Sequence, residues 1–324
     1  MKIAIVKLSA LGDIIQSAFV VQFIKQKVPE ATIDWIVEQK YCDILKEVEG
    51  IENVKCVHLD GVKKNLFRIF KEKNKIKSFG EYDIVIDMQG FFKSALVARF
   101  LSKKTVGFDR YCLNEGLAAF FYRKKVYVDP TATRIQRYKS LVSAALNINI
   151  DNEEILQKKP YMSAKNTIDS LKSTTKKAVF IIGAKHLDKS YSKENFIRIA
   201  QMLREAYSME VFIPYRNDKE FNKAKFIEQN SKNVHVLPKS SYSQIKGVFS
   251  KVDLVIGNDS GLTYLGWANN IPTVILHPKK GESTLLESTN CYCVKLKNQN
   301  DTINRIEPKT VIEYVEKMLT PQRS

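Results

Sequence analysis

The sequence predicts an α/β fold: two doubly wound, Rossmann-like domains facing a central cleft. Two observations predict it. Short apolar runs alternate with polar loops and amphipathic stretches, the pattern of parallel strands linked by crossover helices. That series occurs twice, on either side of residues 147–176, a stretch rich in Asn, Lys, Ser and Thr that contains Pro160. A length of 324 residues suits two such domains and gives a core that needs no disulfide or metal staple. The domains are placed at 1–160 and 161–324, with the last helix a candidate to pack back on the first domain.

In the first series, Ile3–Val6 is an unbroken apolar run and reads as a buried strand. A helix is expected from about Gly12 to Lys27. Thr32–Val37 and Val54–Leu59 read as strands. Tyr82–Met88 reads as a buried strand followed by Gln89-Gly90 and a helix to about Leu101. Lys104–Gly107 is a short strand, and Arg134–Leu146 a helix. In the second series, strands are expected at Ala178–Ile182, Met209–Pro214, Val234–Leu237, Leu254–Ile256 and Thr273–Leu276. Helices are expected at Lys193–Ala206, Lys219–Gln229, Ser243–Ser250, Leu262–Ala268 and Pro308–Leu319. Trp35 and Trp267 fall in strand and helix patterns and read as core.

Composition narrows the function classes. Charged residues make up 27% and hydrophobic residues 44%, which argues against a disordered chain. No apolar run approaches a membrane-spanning length, and Met1–Val6 reads as a strand rather than a leader. A soluble cytoplasmic protein is expected. Its five cysteines (Cys42, Cys56, Cys112, Cys291, Cys293) fit no zinc spacing and are expected as reduced thiols. The four histidines (His58, His186, His235, His277) form no metal spacing and read as structural or solvated.

The formal net charge is +17. Residues 1–60 carry 7 basic and 9 acidic side chains, residues 61–140 carry 18 and 7, and residues 141–324 carry 27 and 19. The excess is densest at 61–140. Such a cluster attracts phosphate, carboxylate, nucleic acid or an anionic membrane. A lysine-rich compositional bias accounts for it equally well.

Ligands of open parallel sheets bind beyond the carboxyl ends of strands, and four loops lie there. Gly12 and Asp13 follow the first strand. Gly12 allows close approach of a ligand, and Asp13 is either a helix N-terminal carboxylate or a general base. Asn258-Asp259-Ser260-Gly261 precedes a helix and could receive a phosphate on its free amides, or act as an ordinary cap. Gly183–Ser190 contains Lys189, which could neutralise a leaving phosphate or simply be solvated. Pro214–Glu220 ends on Glu220, which could accept ribose hydroxyls or lie exposed in a helix's first turn. No loop is GxGxxG or GxxxxGK[ST], so the usual dinucleotide and P-loop readings lack their fingerprints.

Taken together, several segments resemble the bacterial lipopolysaccharide heptosyltransferases of glycosyltransferase family nine. They are the run from Met1 to Asp13, Asp87-Met-Gln-Gly-Phe-Phe-Lys-Ser-Ala95, Val106-Gly-Phe-Asp109, Asp188-Lys189, and Asp259-Ser-Gly-Leu-Thr263 with Pro272. The resemblance spans nearly the whole chain and is closest to the members that add the first heptose of the inner core. It implies the GT-B fold, with the nucleotide sugar on the C-terminal domain and the acceptor on the N-terminal one. It further implies inverting transfer of heptose from ADP-heptose to the Kdo of Kdo-lipid A, with no cofactor and no metal.

By the same resemblance, Asp13 is the base on the acceptor hydroxyl and Lys189 lies on the donor diphosphate. Gly12, Asp259, Ser260 and Gly261 belong to donor binding, and Glu220 contacts the nucleoside. Lys63, Lys64, Lys93 and Arg137 face the anionic acceptor. The family pattern places a histidine three residues after the loop glycine, where this chain has Tyr264. Tyrosine keeps a hydroxyl donor but brings no cation. The donor phosphates would then lean more on the loop amides and Lys189, with Tyr264 a further donor-binding candidate. A monomer touching the cytoplasmic face of the inner membrane peripherally is expected. A later core acceptor is the nearby alternative. A basic nucleic-acid-binding module is the alternative of another class, though no nucleic-acid motif accompanies the charge.

Overall fold

A computed structural model describes residues 1–59, 67–164, 175–184, 190–277, 285, 291–295 and 302–320. The chain divides into two compact units, Met1–Tyr161 and Met162–Ser324. The division falls inside the stretch read as a linker. That stretch is not simply a tether: it carries a short helix and buries Ile150, Ile155, Tyr161 and Met162.

The first unit holds strands β1 (Lys2–Val6), β2 (Thr32–Glu38), β3 (Asn53–Val57), β4 (Ile84–Asp87), β5 (Thr105–Phe108) and β6 (Lys124–Val126). Its helices are α1 (Leu11–Ser17), α2 (Val20–Lys27), α3 (Cys42–Leu45), α4 (Phe67–Lys77), α5 (Phe92–Leu101), α6 (Arg134–Leu146) and α7 (Asn152–Leu156). The strands pair in the order β3-β2-β1-β4-β5-β6, every described pair parallel. The β1 run is apolar without alternation because Ile3, Ala4, Ile5 and Val6 are all fully buried. The helix expected over 12–27 is two helices, interrupted at Ala18-Phe19.

The second unit repeats the plan. Its elements are β7 (Lys177–Ile181), α8 (Lys193–Tyr207), β8 (Glu210–Ile213), α9 (Asp218–Gln229), β9 (Val234–Val236), α10 (Tyr242–Phe249), β10 (Leu254–Asn258), α11 (Tyr264–Ala268), β11 (Thr273–His277), β12 (Cys291–Lys295) and α12 (Pro308–Leu319). The strand order is β12-β11-β10-β7-β8-β9. Counted within each unit, both sheets have the doubly wound order 3-2-1-4-5-6. In helix α12, Val311, Ile312 and Val315 lie in the second unit's own core beside residues of α8 and β11.

Two of the four edge strands, β6 and β12, are absent from the sequence reading. In β6, Lys124 and Lys125 are exposed and only Val126 is buried, so no apolar run marks the strand. Helix α4 is missing for a related reason, since lysines crowd its short apolar stripe. The reading of all five cysteines as thiols is also corrected, because Cys42 and Cys56 form a disulfide. Strands β2 and β3 pair with Val37 opposite Cys56. The turn after β2 then carries Cys42 back to a Cα–Cα distance of 6.1 Å from Cys56. A contact made by strand pairing leaves no trace in cysteine spacing.

Candidate active site

A doubly wound sheet reverses its winding between its first and fourth strands, and the carboxyl ends there open a crevice. In the first unit those strands are β1 and β4. The β1 end continues through Lys7, Leu8 and Ser9 to Gly12 and Asp13 in α1. Lys7 is buried, donates to the Met88 carbonyl at 3.2 Å after β4, and lies 4.9 Å from the centre of the Tyr138 ring. The Ser9 amide donates to Gln89 Oε1 at 3.1 Å, tying the two loops together. Asp13 Oδ2 accepts the Ala10 amide at 3.3 Å, while Oδ1 receives the Arg134 guanidinium from α6. The Asp13 side chain remains 21% exposed, so one carboxylate is anchored yet reachable.

Around it the acceptor-facing candidates are partly engaged. Lys93 Nζ lies 2.8 Å from Glu38 Oε1 at the end of β2. Arg137 donates to the Cys112 carbonyl at 2.6 Å and stacks over Phe108 at 5.0 Å. Beneath them is a fully buried carboxylate, Asp87, the last residue of β4. One oxygen accepts the Gln89 and Gly90 amides at 2.9 and 3.2 Å, and the other accepts Ser94 Oγ at 2.8 Å and Tyr122 Oη at 2.7 Å. Burial pushes the Asp87 carboxyl up and these four bonds pull it back. The Tyr122 hydroxyl is driven far above its ordinary value by burial, with the Asp87 charge adding to the effect. Gly90 turns the chain here at φ +73°, and a Cβ on it would lie 2.5 Å from Leu113.

In the second unit the corresponding strands are β7 and β10. Asn258 joins them: its Oδ1 accepts the Tyr191 amide at 3.0 Å, and its Nδ2 donates to the Ile182 carbonyl at 2.9 Å. Next to it, Asp259 Oδ1 accepts the Tyr264 hydroxyl, and Oδ2 lies 3.6 Å from Nε2 of the buried His277 at the end of β11. Ser260 Oγ is 3.4 Å from Thr263 Oγ1. The helix expected from Leu262 begins instead as a tight 3-10 turn, Gly261–Thr263, that leads into the five-residue α11. Any anion here would therefore meet local amides more than a long helix dipole.

Glu220 sits in the first turn of α9. Its oxygens accept the Arg216 amide at 3.0 Å and Arg216 Nη2 at 2.7 Å. Gly183, just past β7, faces the pair: a Cβ there would lie 2.5 Å from Glu220 Oε1. Lys223, one turn further along α9, donates to Ser190 Oγ at 3.0 Å and the Tyr191 carbonyl at 2.6 Å. Burial pulls its pKa down to about 8, against the opposing charges of Glu194 and Glu220.

The family model described as glycosyltransferase family 9 (heptosyltransferase) matches residues 73–306. The chain belongs to this family. It is 34% identical over 289 residues to lipopolysaccharide heptosyltransferase 1 of Campylobacter coli, covering 85% of this chain and 83% of that one. It is 26% identical to lipopolysaccharide heptosyltransferase 1 of Escherichia coli K12, covering 86% and 88%. Among solved structures, E. coli heptosyltransferase WaaC with ADP-2-deoxy-2-fluoro heptose superposes with a TM-score of 0.80 at 22% identity, covering 98% and 99%. E. coli ADP-heptose lps heptosyltransferase II gives 0.72 at 18% identity, covering 98% of each chain. These likenesses show that the heptosyltransferase has the GT-B fold.

Within this heptosyltransferase, Gly12, Asp13, Lys93 and Arg137 gather at the carboxyl end of the first sheet. Glu220, Asp259, Ser260, Gly261 and Tyr264 gather at the same end of the second. Lys63, Lys64 and Lys189 lie outside the described residues. Tyr264 is only 2% exposed and its hydroxyl is directed to Asp259, so its first role is to hold that carboxylate. The sequence reading gave no site role to Arg134, Glu38, Arg216, Lys223 or His277. Of these, Arg216 has a local signal, standing four residues before Glu220 on the same turn. Arg134 lies 121 residues from its partner. Among the described residues, no group of three or more His, Cys, Asp or Glu side chains is placed to hold a metal ion.

Proposed function

We propose that this heptosyltransferase moves L-glycero-D-manno-heptose from ADP-heptose to the Kdo of Kdo-lipid A, inverting the anomeric carbon. The observation that carries the reading is the 34% identity to a lipopolysaccharide heptosyltransferase 1 across most of both chains. The placement of Asp13 supports it: the carboxylate stands at the first sheet's switch point, anchored by Arg134 yet partly exposed.

In this reading Asp13 takes the proton of the attacking Kdo hydroxyl. The new bond forms at the anomeric carbon as its bond to the β-phosphate oxygen breaks, and ADP leaves with the electron pair. The N-terminal unit receives the acceptor, with Lys63, Lys64, Lys93 and Arg137 facing its anionic groups. The C-terminal unit receives the donor. Lys189 and the amides around Ser260 and Gly261 stabilise the charge growing on the diphosphate, Glu220 meets the nucleoside, and Gly12 leaves room near the transferred sugar. Tyr264 and Asp259 complete the wall beside the phosphates. The enzyme works as a monomer on the cytoplasmic face of the inner membrane, without cofactor or metal.

The test is incubation of the purified protein with ADP-heptose and Kdo-lipid A. Heptosylated product by mass spectrometry, with stoichiometric ADP, is expected. Transfer only to an acceptor that already bears heptose would move the enzyme to a later core step. No transfer to either acceptor would overturn the reading.

A further inference from the structure

Four of the eight large hydrophobic side chains exposed among the described residues fall within residues 111–127: Tyr111 at 74%, Leu117 at 65%, Phe120 at 75% and Tyr127 at 66%. None of them is used by the site above. Leu117 and Phe120 lie three apart in the 3-10 helix Gly116–Phe121, so they eclipse and project from one face. The same helix turns Ala118 and Ala119 inward, while Phe121 meets Phe92 edge-on at 5.3 Å. Two apolar side chains are thus held outward by a firmly packed helix.

The neighbouring residues gather around the turn Arg110–Cys112. A Cβ on Gly116 would lie 3.4 Å from the Arg110 carbonyl, which places the start of the helix against that turn. On the other side, the Val128 amide meets Cys112 Sγ at 3.2 Å and the Asp109 amide meets the Val126 carbonyl at 2.8 Å. Tyr127 points outward between the buried Val126 and Val128. Residues 103–128 carry six basic and two acidic side chains, and Lys103, Lys104, Arg110, Arg123, Lys124 and Lys125 are all exposed.

We infer that the Tyr111–Tyr127 surface is a membrane-docking wedge, in which Tyr111, Leu117, Phe120 and Tyr127 enter the headgroup region of an anionic bilayer beside exposed lysines and arginines of the same segment. Aromatic side chains favour that interface. An apolar insertion combined with basic charge gives the two weak signals that reversible anchoring needs. No described helix is long and apolar enough to cross a membrane, and interfacial docking of this kind needs none.

The wedge is continuous with the acceptor side of the site. Arg137 donates to the Cys112 carbonyl within it, and Glu115 caps the Phe92 amide one residue before Lys93. Insertion would bring Lys93 and Arg137 to headgroup level, where the sugar of a lipid-borne acceptor lies. This last point rests on the proposed function; the docking itself does not.

The experiment is co-sedimentation with vesicles of phosphatidylglycerol and phosphatidylethanolamine, compared with phosphatidylcholine alone. The intact protein should partition to the anionic vesicles, and salt should weaken the partition. The triple variant Tyr111→Ser, Leu117→Ser, Phe120→Ser should partition about tenfold less. It should keep its turnover on a water-soluble, deacylated acceptor. A single Phe120→Trp variant gives an independent readout, since its added indole emission should move to the blue and be quenched by brominated lipid on binding.

Equal partition of the triple variant and the intact protein would overturn the wedge. So would an emission of the Phe120→Trp variant that vesicles do not alter, or a dimer broken by the serine substitutions without vesicle binding. Partition that depends on the wedge without any heptose transfer would leave the wedge supported and overturn the proposed function instead.

Discussion

The carboxylates at the two switch points have different partners. Asp13 is held by a guanidinium and a backbone amide and is 21% exposed. Asp259 accepts a phenol, has an imidazole 3.6 Å away, and is 14% exposed. The strand order around them is the same, so the fold does not set this difference. The partners do: Arg134 from α6 for Asp13, and Tyr264 from α11 with His277 from β11 for Asp259. A carboxylate that must accept a proton needs access. One beside a polyanionic donor would repel it unless donors from the protein occupy its oxygens. One topology therefore supplies two equivalent places, and the partners around each carboxylate set them apart.

Replacing Asp13 breaks the comparison most severely. Asp13→Ala should lower kcat by about 1,000-fold, within the span typical of a lost general base, while calorimetry shows ADP affinity unchanged. A near-normal kcat would remove Asp13 from the reaction. Asp87 is the control, a carboxylate of the same unit buried out of reach. Asp87→Ala leaves Tyr122, Ser94 and two amides without their acceptor. It should cost about 3 kcal/mol in urea unfolding. A loss below about 1 kcal/mol would mean that the cluster is not holding the loop after β4.

On the donor side the effects are smaller. Tyr264→Phe removes the hydroxyl that holds Asp259 and should raise the KM for ADP-heptose about tenfold, roughly the worth of one hydrogen bond to a charged group. Tyr264→His should recover most of it, because an imidazole can donate to the same oxygen. An unchanged KM in Tyr264→Phe would leave Asp259 without the restrained role described. Outside catalysis, a pH effect concerns Lys223, whose pKa is pulled down to about 8 in the folded protein against an ordinary value of 10.5. Between those values the unfolded chain holds a proton that the folded chain has lost, so stability rises with pH across that window. Below about pH 8 both states are protonated and the gain is absent. The rise should be roughly 3 kcal/mol in chemical denaturation, and Lys223→Met should abolish it.

The core strands and the loops after them were legible because each is a local pattern: an apolar run, then a glycine or an acid at its end. Asp13, Asp259 and the Gly183 loop could be placed from that alone. What escaped is non-local. His277 looked like any histidine in a strand until β11 paired beside β10 and set it against Asp259. Arg134 needed the close approach of α1 and α6, and the Cys42–Cys56 bond needed the register of β2 on β3. Asp87 was visible within a family segment, but its burial and four donors follow only from folding.

The exposed lysines of β6 have a consequence separate from lipid or substrate. On the described strand order β6 closes its sheet, so one row of its backbone N–H and C=O groups faces outward and could template a strand from another chain. Lys124 and Lys125 sit on that border, where burying a charged ammonium under an incoming strand is costly. Part of the basic surplus thus guards solubility, and neutralising these two lysines by acetylation or substitution should favour ordered aggregation even where catalysis survives.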